Sequence, residues 1–137
     1  MKQVILDTSF ILSCVRQKID FFERLEHDGF KILIPEQTID ELMGLGAQLA
    51  LNIIQKHKFH LIKISGKNAD AAIIKFSKEN PEAVVATLDS GLKKKIKNQK
   101  MVIRGKKKIE IVWLTKKITS HKGLSNLFKP IFAIFLG

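Results

Sequence analysis

At 137 residues the chain is long enough for one domain with its own apolar core, without disulfides or structural metal. A hydrophobic content of 45% with charges of both signs excludes a disordered or collagen-like chain, and the single cysteine, Cys14, set among Phe10, Ile11, Leu12 and Val15, reads as a buried thiol of a reducing compartment. The net charge of +11 is confined to one end: residues 1–92 carry 11 Lys and Arg against 12 Asp and Glu, residues 93–137 carry 13 against 1. That asymmetry suits either an anionic partner docking on one side, most commonly nucleic acid, or a lysine face kept for solubility.

Apolar runs and helical patterns alternate along the chain. Gln3 to Leu6 has the composition of a short buried strand, and Asp7 follows it directly. A helix is predicted from Thr8 to about Val15, and a second over KIDFFERLEHDG, where Ile19, Phe22 and Leu25 recur at helical spacing and Gly29 closes the segment. FKILI is the second strand, Pro35 the expected first residue of the next helix, and Ala47 to about His57 another helix. FHLIKI is the third strand, followed by the helix ADAAIIKFSKEN, which Asn80-Pro81 stops. AVVATL is the fourth strand, DSGLKKKIKN a short helix, and MVIRG and IEIVWL further strands. Strands separated by helices imply crossover connections and a mainly parallel sheet covered on both faces. The start MKQVILDTSF is too short in its apolar part for a secretory signal, and no run of about 20 apolar residues occurs, so a cytoplasmic location is expected.

In such a sheet, ligands bind beyond the carboxyl ends of the strands. Asp7 and Asp89 fall there, each after a strand, and Glu41 and Asp70 lie early in the helices after the second and third strands. Alone, each has an ordinary explanation. Asp7, Asp70 and Asp89 could be helix caps, Glu41 a solvent-facing helix residue, and only one of Asp40 and Glu41 can face the same way. Together they form a group of like charges that needs a cation, and an all-oxygen donor set suits Mg²⁺ or Mn²⁺ rather than zinc. Lys93, Lys94, Lys95, Lys97, Lys100, Arg104, Lys106, Lys107 and Lys108 occur in sixteen residues without an acid and are the candidate nucleic-acid contacts. Trp113, in a predicted strand, reads as core rather than as a base-stacking platform.

The segments ILDTSFIL, IPEQTIDEL, NADAAIIKFS and VVATLDSGLKKKI resemble, in order and spacing, the motifs of the PIN domain, a family of metal-dependent nucleases, over residues 2 to about 114. The resemblance is greatest to the archaeal and eukaryotic branch that includes ribosomal RNA processing factors. It implies a three-layer α/β/α sandwich with a mostly parallel central sheet. It also implies catalytic and metal-holding roles for Asp7, Glu41, Asp70 and Asp89, supporting hydroxyls at Thr8 or Ser9 and at Thr87, one or two Mg²⁺ or Mn²⁺ ions, and hydrolysis of RNA to 5′-phosphate and 3′-hydroxyl ends. A toxin-type ribonuclease and a non-catalytic RNA-binding module are the alternatives within the same fold. The expected domain covers residues 1–123. Residues 124–137 form an apolar tail, in which Leu124, Leu127, Phe128, Ile131 and Phe135 would share a helical face broken by Pro130. The tail is expected to pack on the domain, a second subunit or a protein partner, in preference to a membrane.

Overall fold

A computed structural model describes residues 2–105 and 108–112. Six strands, β1 (Lys2–Leu6), β2 (Phe30–Pro35), β3 (His60–Ile62), β4 (Val84–Ala86), β5 (Lys100–Arg104) and β6 (Lys108–Val112), form one sheet in the order β3-β2-β1-β4-β5-β6. All neighbours pair in parallel except β5 and β6, which form an antiparallel hairpin turned at Gly105, where φ is +57°. Helices α1 (Thr8–Arg16), α2 (Phe21–His27), α3 (Glu36–Gly44), α4 (Gln48–Gln55), α5 (Ala69–Glu79) and α6 (Ser90–Lys95) make the connections.

The sheet is buried on both faces because its central strands are apolar at nearly every position. In β1, Val4 and Leu6 enter the core that holds Phe10, Phe22, Leu42 and Ile54 of α1–α4, while Ile5 points the other way, to Ile73 and Leu92 of α5 and α6. The expected α/β/α sandwich follows from this alternation. In the first core Phe10 meets Phe21 edge-on at 6.3 Å between ring centroids, and Cys14 is fully enclosed with the pKa of its thiol pushed up to about 12 by burial. Among the described residues no helix is long and apolar enough to cross a membrane.

Several boundaries differ from those expected of the sequence. The third and fourth strands shrink to three residues each. β3 is an edge strand whose pairing stops at Pro35↔Ile62, where proline offers no amide donor. Pro35 itself is the last residue of β2 and the N-cap of α3, not its first residue, since its ψ of 148° is still extended. Trp113 and the tail 124–137 lie outside the described residues.

One predicted nucleic-acid contact is overturned here. Lys100, the first residue of β5, is only 1% exposed, and its Nζ donates to the Ile96 carbonyl at 2.9 Å. It is drawn into the sheet because it sits between Val85 and Val112 in the ladder, and burial lowers its pKa. The energetic sign follows. The penalty for burying the ammonium is complete below the folded-state pKa and vanishes above the ordinary lysine value of about 10.4. Lys100→Met should therefore leave RNA affinity within about twofold of wild type, since the buried ammonium cannot reach a phosphate. Its stability relative to wild type, measured by urea unfolding, should be greatest near neutral pH and decline as the pH approaches 10.4.

Candidate active site

The chain order runs β1, β2, β3 towards one edge of the sheet and then returns to β4 on the other side of β1. The β1/β4 boundary is therefore the topological switch point, where the loops leaving adjacent strands diverge and open a crevice. Asp7 leaves β1 there, with its amide nitrogen donating to the Ala86 carbonyl at 2.9 Å, and Asp89 follows β4 three residues later.

Asp7 is 3% exposed and occupies the N-cap position of α1, but its side chain makes no capping bond. Its Oδ2 instead accepts from Ser9 Oγ at 2.9 Å and Thr87 Oγ1 at 2.8 Å. The two hydroxyls are themselves anchored: Ser9 Oγ accepts from the Leu88 amide at 3.1 Å and Thr87 Oγ1 from the Asp89 amide at 3.1 Å. One network thus joins the ends of β1 and β4. Burial pushes the Asp7 pKa up, against the pull of the Thr87, Ser9 and Thr8 donors, and the neighbouring Glu41 charge adds to the rise.

Glu41 faces this edge while the adjacent Asp40 is exposed, which settles the ambiguity of that pair. Its Oε1 accepts from Thr8 Oγ1 at 2.7 Å and its Oε2 from the Ala69 amide at 2.7 Å. Glu41 therefore ties α1, which begins beside Asp7, to the start of α5, which carries Asp70. Both Thr8 and Ser9 have a use, on different carboxylates.

Asp70 is not a cap, because Asn68 Oδ1 takes that role by accepting from the Ala71 amide at 2.9 Å. Asp89 is one: its Oδ1 accepts from the amides of Gly91 at 2.8 Å and Leu92 at 3.2 Å. Its second oxygen has no hydrogen-bond partner among the described residues, so the cap engages only one of the two oxygens. The Asp70 pKa is raised first by burial and then by Asp7, Asp89 and Glu41, with Lys95 pulling it down. That is the electrostatic signature of four carboxylates brought into one region from β1, α3, α5 and β4.

Two further groups that support the site carry no signal in the sequence strong enough to single them out. Gln37 Nε2 donates to the carbonyls of Ile64 at 2.6 Å and Gly66 at 3.1 Å, pinning the loop that leads to Asp70. Gly66 lies so close to α5 that an added Cβ would stand 2.8 Å from the Ala72 nitrogen. A glycine before a helix is visible in the sequence; that it lies against the helix backbone is not. Among the lysines, Lys94, Lys95 and Lys97 are exposed, and Lys93 is half-buried, its pKa lowered by burial and by Arg104. Arg104 Nε lies 3.5 Å from Glu110, and Lys108 is exposed on β6. Lys106 and Lys107 lie outside the described residues.

A family model for a PIN-like domain matches residues 4–108. The chain belongs to the PIN-like domain family. It is 33% identical over 129 aligned residues to ribonuclease VapC4 of Methanocaldococcus jannaschii, an alignment covering 81% of this chain and 97% of that protein. The rRNA-processing protein fcf1 of Schizosaccharomyces pombe is 34% identical over 101 residues, 69% of this chain, which spans about half of that relative, 53%. The structure of the PIN domain endonuclease Utp24 matches with a TM-score of 0.73 at 30% identity, over 82% of this chain and 92% of that one.

Whether this PIN-like site suits a divalent cation rests on charge and donor chemistry. Among the described residues no three His, Cys, Asp or Glu side chains are drawn into a closed metal-ligand group as they stand. Yet the donors are all oxygens, Asp70 bears the field of three other carboxylates, and Asp70 and one oxygen of Asp89 have no protein hydrogen bond among the described residues. An all-oxygen donor set of this kind suits a hard cation better than zinc. Without a cation, burial of the Asp70 carboxylate and then repulsion from Asp7, Asp89 and Glu41 cost stability. The cost is complete above the raised folded-state pKa of Asp70 and absent below the ordinary aspartate value of about 3.9. Asp70→Asn should accordingly raise Tm in EDTA at pH 7, with the gain shrinking to nothing as the pH falls through that window; calorimetry across pH 4–7 checks it.

Proposed function

We propose that the protein is a metal-dependent endoribonuclease that hydrolyses RNA phosphodiester bonds in RNA maturation, ribosomal RNA being the leading substrate class. The observation that carries the reading is the four-carboxylate edge, in which Asp7 is held by Ser9 and Thr87 and Asp70 ionises against the field of its like-charged neighbours. The family membership supports it, as do the names of two relatives, a ribonuclease and an rRNA-processing protein.

In this mechanism Asp7, Asp70 and Asp89 would hold Mg²⁺ or Mn²⁺. When bound, the cation supplies charge neutralisation at the scissile phosphate and a lowered pKa for the attacking water. The remaining work is done by the chain itself. Ser9 and Thr87 fix the Asp7 carboxylate in one orientation and favour its ionised form by donating to it. Glu41, with both oxygens engaged, acts as a positioning residue that sets the distance between Asp7 and Asp70 through Thr8 and Ala69. Lys93, half-buried beside Asp89, places a positive charge where a phosphate would approach. The exposed Lys94, Lys95 and Lys97 attract the strand without reading its sequence. The same reading puts the enzyme in the cytoplasm, on the strength of its one thiol, which is free and buried.

Cleavage of generic RNA in Mn²⁺ tests the site. Asp7→Asn and Asp89→Asn should each lower kcat by at least about 100-fold with the fold retained by circular dichroism, because several kcal/mol of transition-state stabilisation is removed. Thr87→Ala should cost roughly 10- to 100-fold. Wild-type rates in both aspartate variants would show that the acids are not catalytic. Binding measured without metal gives a separate readout. The double variant Lys94→Glu, Lys97→Glu should bind more weakly, with a log–log salt slope flatter by about 0.7 for each phosphate no longer neutralised.

A further inference from the structure

A second feature lies towards the far end of α5 from Asp70 and takes no part in the chemistry assigned to the acids. The second half of α5 and the segment from the end of α6 to β5 enclose a cleft of about 300 Å³. Its volume is at the lower end of the range for small-molecule sites, about 300–1,000 Å³. Three aliphatic side chains, Ile74, Pro81 and Ile96, lie in its lining together with three lysines, Lys78, Lys95 and Lys97, and the lining contains no acid. None of the three lysines forms a salt bridge among the described residues. The cleft thus combines an apolar surface suited to a planar ring with cations suited to a phosphate.

Two further observations make it a built cleft rather than a gap between lysines. Its polar lining is immobilised: Ser77 Oγ donates to the Ile73 carbonyl at 2.6 Å, and the buried Asn98 donates through Nδ2 to the carbonyls of Asn80 at 2.9 Å and Ala83 at 2.8 Å. With its amide hydrogens committed, Asn98 can offer an incoming ring only an acceptor, and no hydrogen bond reaches its Oδ1 among the described residues. The cleft is also electrostatically continuous with the acidic edge, because Lys95 lowers the Asp70 pKa and lines the cleft as well. Lys78 lies eight positions along α5 from Asp70, about 12 Å of helix.

We infer that this cleft is a nucleotide-binding subsite, taking one nucleotide of the RNA strand remote from the scissile bond. The base packs on Ile74, Pro81 and Ile96, and its phosphate lies among Lys78, Lys95 and Lys97. Occupancy requires an unstacked base, so a paired strand cannot use it. The choice of RNA as occupant rests on the nuclease reading, but the geometry stands apart from catalysis and is tested without it.

The test uses the full chain in EDTA, so that nothing is cut, with ¹³C-labelled isoleucine methyls observed by NMR. Adenosine 5′-monophosphate should shift both Ile74 and Ile96, while inorganic phosphate and a glutamate-rich peptide should not. In the same buffer, Lys78→Glu should weaken binding of a labelled single-stranded RNA by roughly three- to tenfold. Lys58→Glu makes the same charge change between α4 and β3 and should move affinity by less than about twofold. Silent isoleucines with the nucleotide would overturn the subsite, as would equal shifts with phosphate or with the acidic peptide, or equal weakening in the two lysine variants. Failure of the nuclease reading looks different: RNA that binds with these shifts yet stays intact in Mn²⁺.

Discussion

The hydrogen bonds that Ser9 and Thr87 give to Asp7 are the constraint on which the rest of the site depends. A carboxylate at the end of a buried strand is costly, because burial favours its neutral form and Glu41 and Asp70 carry like charge nearby. Two neutral donors, each anchored by a backbone amide of the segment after β4, offset part of that cost and hold the group at the boundary between β1 and β4. Glu41 extends the same arrangement to α5 by accepting from Thr8 and Ala69. Apart from the backbone amides of Thr8 and Ala69, the donors to these two carboxylates are hydroxyls. A neutral donor orients an anion without discharging it, so the region stays electronegative.

The arrangement is a trade of stability for function. Carboxylates crowded at one edge destabilise the fold, and the two apolar cores on either side of the sheet supply the offsetting free energy. The division between the faces is also a division of labour. The larger core, under α1–α4, fixes β1 and β2 and hence Asp7 and Glu41. The smaller core, under α5 and α6, sets the positions of Asp70, Asp89 and the lysines that follow. Lys100 shows how strictly the sheet imposes its own terms, since a residue from the basic segment is enclosed once it falls on a strand paired on both sides.

Much of this was legible in the chain alone. The apolar run of β1 and the closing Gly29 at φ +82° both correspond to local patterns, and local physics decides them. The short lengths of β3 and β4 were not legible, because pairing ends where the neighbouring strand runs out of donors or turns away, and those partners are distant in the chain. The roles of the two acids that share a capping position were equally hidden. Asp89 caps α6 whereas Asp7 does not cap α1, although both precede a helix, because the Asp7 carboxylate is taken up by the hydroxyls of Ser9 and of Thr87 from beyond another strand.

The sequence by itself determined the alternation of strands and helices, the placing of acids at strand ends and the confinement of positive charge to the last third, since each follows from residue type and spacing. Tertiary structure alone decided which lysine is buried, that Glu41 rather than Asp40 faces the edge, and that Lys78 joins Lys95 and Lys97 around one cleft. Those outcomes depend on which segments meet across the sheet, and the order β3-β2-β1-β4-β5-β6 brings together residues as far apart as Ser9 and Thr87.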